Sequence, residues 1–458
     1  MRRCSPLEST SEETPPLAHP DLSPEQRAWF ESAANLIDNG SLYRLNREIT
    51  AIHSPTGRER AASEHMVRYL TGIGVEASYQ PMGDLSGNAV GRIRGSGGGP
   101  SLLLYAPIDT HLEATEDDIP WVGPCLRPDM IPEAREENGL VIGLGASNPK
   151  AMVTTLAEAV RVVHAAKVPL KGDLFVAYAG GGMPVDPAAS GNRGLSDGVS
   201  HLLARGVHTD YALVMKPGNA VYHEEPGLCW FKVSVRGTLG YAGMPHGLPR
   251  FRSSIVPAAR VILELADWLP RYTERNSSGQ VAPQGWIAAL RSGWSDRVSF
   301  PSATTEIYLD IRCNPRTPPA EVKAQFEEVM TDILARHPEV ELDWEMTASL
   351  PGASTDPENW IIRSAIRAWE EIEGKPHPLP PRTSGQTDIS MIRNLGIPTA
   401  RTGWVSVPEK TPEEYRQGLG GMGVSFPPDL AATCRKLVYS IIDTCTRTRA
   451  EVGCLRKA

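Results

Sequence analysis

The chain lacks the features that mark several specialised classes. No apolar run approaches the ~20 residues that a helix needs to span a bilayer, which argues against a membrane protein. The opening stretch MRRCSPLESTSEETPPLAHPDLSPEQ has two arginines with no apolar core behind them. It reads as a disordered polar lead over residues 1–25, not a secretory signal, and a cytoplasmic location is expected. No block of like charge exists: the net charge of −8 is spread along the chain, against a nucleic-acid or membrane-surface partner. The seven cysteines contain no C-x-x-C pair, so free thiols in a reducing compartment are expected. Internal repeats are missing as well.

What is present is the profile of a globular protein, with 41% apolar and 22% charged residues. At 458 residues the chain exceeds one ordinary core, so two domains are expected. Leu22 to Leu45 reads as helical, and HSPTGRERAASEHMVRYLTGIG as a turn and a helix. GNAVGRIRG, PSLLLYAP, GDLFVAYAGGG and YALVMKPGN read as strands. GLVIGLGASNPKAMVTTLAEAVRVVHAA reads as strand, Gly-rich turn and long helix. This alternation implies an α/β fold, a largely parallel sheet with helices on both faces. From LCWFKVSVRGTLGYAG to VELDWEMTAS the order becomes β-α-β-α-β, with room for one more strand. FRSSIVPAARVILELADWL is read as a helix despite Pro257, capped by Ser253 or Ser254. We therefore expect an α/β domain from residues 26–226 and 350–458, with an inserted α+β lid over 227–349. His223, Glu224 and Glu225, just before the lid, read as hinge residues.

Several motifs together resemble a known family. SPTGRE with Asn88, Ile108-Asp109-Thr110, GLGASNPKA, GTLGYAGMPHG, DIR at Asp310 to Arg312, and SGQTD followed by LGIP occur in the order and spacing of one group. The chain resembles the di-zinc aminoacylase, acetylornithine deacetylase and carboxypeptidase G family of peptidases and amidohydrolases, from about Leu45 to Lys436. The resemblance implies a zinc-peptidase-like mixed sheet with a lid that mediates a homodimer. It also implies hydrolysis of a C–N bond by two zinc ions held by histidines and carboxylates, with a glutamate base.

Carried over by position, those ligands are replaced. The first ligand histidine falls on Pro107 and the bridging aspartate on Asn148. The glutamate pair falls within Gly180 to Gly182, and the next carboxylate on Lys216 or Met215. No histidine follows His377, although the last ligand belongs near GMGVSFPPD. Asp109 is kept, but in the family pattern it is a partner of the metal site, not a ligand. The expectation is a site with no metal and no cofactor. Vacated carboxylates left as a cluster would repel one another, whereas amide, glycine and lysine do not.

The residues left to do chemistry are Asp109, His111, Lys150, Lys216 and Tyr241. In an extended strand Asp109 and His111 share a face, so Asp109 would orient His111 as a general base; a surface histidine is the other reading. Lys150 and Lys216 would anchor a carboxylate or an oxyanion in place of the cations; for Lys150 a plain helix-start lysine is the alternative. By resemblance Tyr241 falls where the lid carries an oxyanion-stabilising histidine. Ser147, Asn148, Gly181, His246, Arg312 and Asp388 are the candidate substrate contacts. Against them stand helix capping for Ser147 and Asn148, a turn for Gly181 and Asp388, and an ion pair for Arg312. The expected function is metal-independent hydrolysis of an amide or ureido bond in a small carboxylate-bearing substrate. Amide formation or rearrangement on the same scaffold, and a catalytically inactive binding protein, are the alternatives.

Overall fold

In the computed structural model, residues 20–185, 194–244, 252–404, 408–417 and 421–454 are described. The apolar run behind Pro100 forms the centre of a six-stranded sheet. Its strands are β1 (Glu76–Met82), β2 (Ser86–Ile93), β3 (Leu102–Pro107), β4 (Leu174–Ala179), β5 (Tyr211–Met215) and, late in the chain, β10 (Thr399–Thr402). The spatial order is β1-β2-β4-β3-β5-β10. β4, β3, β5 and β10 run parallel, and the β1–β2 hairpin lies antiparallel at one edge. Every residue of β3 is buried. Leu102, Leu104 and Ala106 enter one core and Leu103 and Tyr105 another, the period of two that a strand imposes. Both faces are covered by helices, which is why the run is continuously apolar. This is the α/β architecture expected.

The helix Lys150–Ala165 lies almost wholly inside the larger core, against Leu430–Cys445 and Asn39–Thr50. The stretch read as one helix from Leu22 to Leu45 is two, Pro24–Ala34 and Asn39–Thr50. It breaks where the Asp38 carboxylate accepts the Gly40 and Ser41 N–H groups as a new cap. The strand read in GLVIG, Leu140–Ile142, is in a separate three-stranded sheet with Arg135–Glu137 and Val424–Ser425. That sheet carries the Gly-rich turn to the helix at Lys150.

The second sheet is built from β6 (Gly227–Arg236), β7 (Gly285–Ser292), β8 (Thr304–Cys313) and β9 (Glu341–Leu350), all antiparallel, in the order β7-β8-β6-β9. Alternate residues of β8 are buried, and this face packs on helices Ile255–Asn276 and Pro319–Arg336. Phe231 stacks on Phe326 with ring centroids 4.1 Å apart. Pro257 sits in the first turn of its helix, where its missing N–H has no partner to lose. Ser254 is the cap position, but its hydroxyl binds the Ser302 carbonyl and Thr305 instead of the helix. The long strand expected to run on to Gly243 stops at Arg236.

Two short strands join the halves: Glu224–Glu225 pairs with Ala353–Ser354. Glu224 is bound by Arg316, and Glu225 pairs with Arg401 at 3.4 Å. Among the described residues no helix is long and apolar enough to cross a membrane.

One buried ion cluster ties the C-terminal helix down. Asp443 accepts from Ser364 at 2.7 Å and Arg447 at 2.9 Å, and it also binds Arg367. Asp443→Ala strands two mostly buried guanidiniums. We expect a loss of roughly 3–5 kcal/mol, read from urea unfolding followed by tryptophan fluorescence.

Candidate active site

Six elements meet at the carboxyl ends of the parallel strands. β3 ends at Pro107; Ile108 still donates to the Ala179 carbonyl at 2.9 Å, and Asp109 follows. Beside it, β4 ends in Gly180-Gly181-Gly182. The Asp109 carboxylate accepts from Thr56 Oγ1 (2.7 Å), Gly182 N (3.0 Å) and Met183 N (2.8 Å). Glu59 Oε1 accepts from Gly57 N (2.7 Å) and Gly181 N (2.8 Å). Lys150, first residue of its helix, donates to Ser54 Oγ and to the Ile108 carbonyl at 3.2 Å. Asp388 accepts from the Tyr105 hydroxyl. Lys216 follows β5, and its charge faces Asp388, Glu225 and Asp109.

The glycine run is demanded by these carboxylates. A Cβ at Gly180 would stand 2.8 Å from the Glu59 carboxyl carbon. A Cβ at Gly182 would stand 2.7 Å from Asp388 Oδ2 and 3.1 Å from Asp109 Oδ1. Gly181 itself has φ +68°, a left-handed conformation that glycine adopts freely.

Burial dominates the electrostatics. Desolvation, then the Asp109 charge, pushes Glu59 up to about 7. Desolvation pushes Asp388 up to about 6 against the pull of Lys216. Lys150 is brought down to about 7 by burial, opposed by Asp109 and Glu59. Burial likewise lowers Lys216 and raises Asp109.

Of the residues singled out from the sequence, Asp109, Lys150, Lys216, Gly181 and Asp388 come together here. Asp109, Lys150 and Asp388 have no exposed surface, while Lys216 and Asn148 keep 7% and 8%. Ser147 and Asn148 lie in the turn before the helix, both N–H groups donating to the Met422 carbonyl, and the cap position is Pro149 with no side-chain cap. The Asn148 Oδ1 atom is buried without a hydrogen bond among the described residues.

The expected Asp109–His111 dyad is not formed. Asp109 is turned toward Thr56 and the glycine run, and neither ring nitrogen of His111 has a hydrogen-bond partner among the described residues. The strand has already ended at Pro107, and Thr110 N donates to Ser54 O. The two-residue alternation of a strand therefore does not extend to His111. Burial holds its imidazole down to about 4. Tyr241 and Arg312 also stand apart from the cluster. Tyr241 is half-exposed with its ring 5.4 Å from Phe300, and Arg312 pairs with Asp310 at 2.7 Å. His246 lies outside the described residues.

Glu59 and Tyr105 were not anticipated. Glu59 sits at a helix start and reads locally as a capping residue, yet it makes no capping bond; its partner Gly181 is 122 residues away. Tyr105 reads as one more apolar strand position. The absence of a cap role for Glu59 is visible only in three dimensions.

A parallel sheet with its polar residues gathered at the strand ends, joined to a four-stranded α+β unit, is a two-part α/β architecture that keeps its ligand site at those ends. The sequence matches Peptidase family M20/M25/M40 over residues 104–416. The chain belongs to this family. A relative named "Probable carboxypeptidase" from Emericella nidulans is 26% identical over 273 residues, 57% of this chain; the match spans only 57% of that protein. The di-peptidase Dug1p of Saccharomyces cerevisiae shares the fold at a TM-score of 0.67 and 11% identity, covering 93% of this chain and 100% of that one. The YXEP protein of Bacillus subtilis, described as a dinuclear metal-binding peptidase, has a TM-score of 0.59 at 13% identity, covering 90% of this chain and 99% of its own.

Among the described residues no group of three or more His, Cys, Asp or Glu side chains is placed to hold a metal ion.

The pKa shifts set a pH signature. Folded Glu59 keeps its proton up to about 7, where the unfolded chain loses it near 4.5. The folded state binds more protons in that window, so stability falls as pH rises from 4.5 through 7. Asp388 acts in the same direction between 3.8 and about 6. Lys150 acts oppositely: the unfolded chain binds more protons between about 7 and 10.5, so stability recovers as pH rises through that range. Thermal midpoints across pH should show Glu59→Gln flattening the acid limb and Lys150→Met the alkaline limb. Unchanged slopes in both variants would refute the assignment.

Proposed function

We propose that the chain is an enzyme acting on the amide or ureido C–N bond of a small carboxylate-bearing substrate, without the dinuclear centre of the relative from Bacillus subtilis. One observation carries this reading: two lysine ammoniums, Lys150 and Lys216, are buried with Glu59, Asp109 and Asp388 at the strand ends. With Glu59 protonated, two positive charges meet two negative ones, and the cluster balances with no ion added. A divalent ion placed there would face two ammoniums across a poorly solvated gap. The donor set among the described residues does not suit a metal pair, which supports reading Pro107, Asn148, Gly180 to Gly182 and Lys216 as standing where the family's ligands would.

In this reading Lys216 and Asn148, which retain some exposure, face the cleft and hold the substrate carboxylate or the carbonyl oxygen on which charge develops. Asp109, Lys150, Asp388 and Glu59 act behind them as positioning residues. A second reading, a binding protein without turnover, has its own support: the carboxylates of the cluster are closed to solvent, so no acid or base among them reaches a substrate directly.

A panel of N-acyl and N-carbamoyl amino acids and dipeptides separates these readings. We expect hydrolysis that survives EDTA, with Lys216→Ala lowering kcat/KM about 100-fold per folded molecule and also lowering the melting temperature, because Asp388 loses its counter-charge. Loss of activity in EDTA with recovery on adding zinc would overturn the metal-free reading. No turnover, together with thermal stabilisation by the same carboxylates, would favour the binding protein.

The homodimer expected through the lid is a further proposal. β7 is an edge strand of the second sheet, and its Trp286 and Leu290 are 64% and 53% exposed. Sedimentation velocity should find a dimer at micromolar concentration that Trp286→Glu shifts to monomer; a monomeric wild type would refute it.

A further inference from the structure

Behind the helix Trp360–Glu373 the chain reads PHPLPPR, residues 376–382, and forms neither helix nor strand. Gly374, at φ +66°, ends the helix, and four prolines then remove the amide donors that a helix or a strand would need. Exposure along the segment repeats with a period of three. His377 and Thr383 are half-buried and Pro380 is buried, whereas Pro376, Pro378, Leu379, Pro381 and Arg382 are exposed. A polyproline II helix turns once about every three residues, so one face of such a helix lies on the protein and two faces outward. The inward face is fastened at both ends. His377 N donates to Glu370 Oε1, and its Nε2 accepts from Val221 N, each at 2.9 Å. Thr383 N donates to the Gln280 carbonyl at 2.9 Å, and the Thr383 carbonyl accepts from Ala282 N at 3.1 Å. Between these anchors Leu379 stands 92% exposed. Among the described residues the backbone of Pro378 to Pro381 makes no hydrogen bond, and the Arg382 side chain spends only Nε, on the Gly279 carbonyl at 3.2 Å.

We propose that this segment is a docking strand for a protein module with an aromatic-lined groove and an acidic side chain beside it. Pro378 and Pro381 form one outward ridge, and Leu379 and Arg382 the other. Pyrrolidine rings fit between aromatic side chains, and the uncovered carbonyls can accept from indole or phenol donors of such a groove. Arg382 keeps its terminal N–H groups for a carboxylate, which fixes the direction in which the strand is read. The prolines and the two anchors hold the strand in one conformation before it binds, so little ordering entropy opposes docking. A partner that adds a β-strand is excluded, because the segment offers no row of N–H donors, and so is a helix-binding groove, because it is not helical. The inference does not rest on the hydrolase reading, because docking here requires no turnover.

The test is biolayer interferometry of the immobilised full-length protein against a panel of purified SH3, WW and EVH1 domains, the module types built around such a groove. We expect saturable binding of at least one module with a Kd of about 10–100 μM. For that module the double variant Pro378→Ala, Pro381→Ala should bind at least about tenfold more weakly, and Arg382→Gln roughly fivefold more weakly, the size of one partly screened charge contact. Both prolines are exposed and their backbone makes no hydrogen bond among the described residues, so the double variant should keep the wild-type melting temperature. No saturable binding by any module, or undiminished affinity in the double variant, would overturn the proposal. Undiminished affinity in Arg382→Gln alone would overturn the acidic flank. The readout is binding at a surface apart from the charge cluster, so failure here leaves the chelation result untouched, and the reverse holds.

Discussion

The structure depends on a buried balance of charge at the ends of β3, β4 and β5. Lys150 is enclosed between Ser54 and the Ile108 carbonyl, with Asp109 and Glu59 as its nearest negative charges. Lys216 is set against Asp388 and Glu225. Neither lysine could be buried alone, since an isolated ammonium in a dry interior would lose its proton or unfold its surroundings. The same is true of each carboxylate. The cluster is stable as a set, and removing any one member leaves the others uncompensated.

This requirement reaches well beyond the cluster. Glu59 comes from the start of the helix Arg60–Gly72, Asp109 from just past the end of β3, Lys150 from a helix start, Lys216 from just past the end of β5, and Asp388 from the start of the helix Ile389–Asn394. Burying them together draws distant parts of the chain to one point. It also explains the three glycines: the Gly181 and Gly182 N–H groups satisfy Glu59 and Asp109, a Cβ at Gly180 or Gly182 would crowd those carboxylates or Asp388, and Gly181 holds a positive φ. Gly182 is therefore both donor and spacer, two roles that a larger residue cannot combine there.

The junction between the halves uses the same physics with different residues. Glu224 and Glu225 lie on one connecting strand, which pairs with the other at Ala353–Ser354. Arg316 from the second unit holds Glu224, and Arg401 from the first holds Glu225 while lying over the Tyr222 ring at 4.7 Å. The residues read as a hinge are thus tied to both sides by ion pairs, one partly exposed and one buried. Movement at this joint would have to exchange those pairs. The connection is accordingly stiffer than its short, polar sequence suggests.

Periodicity and punctuation were enough to determine the α/β class, the main parallel strands and the helices after Lys150 and Pro318, because those signals are local and repeat along the chain. They also located Asp109, Lys150 and Lys216 at strand and helix ends, and left Asp388 in a polar loop, where the structure starts a short helix. Partnership was decided only by tertiary structure. Asp109 turned to Thr56 rather than His111 because the strand ended two residues before it, and Glu59 joined the site through a glycine 122 residues away. β1 and β10 were missed because one is half-exposed and the other only four residues long, too short for a pattern. A charge's role depends on what surrounds it in space, and desolvation has no signature in linear order.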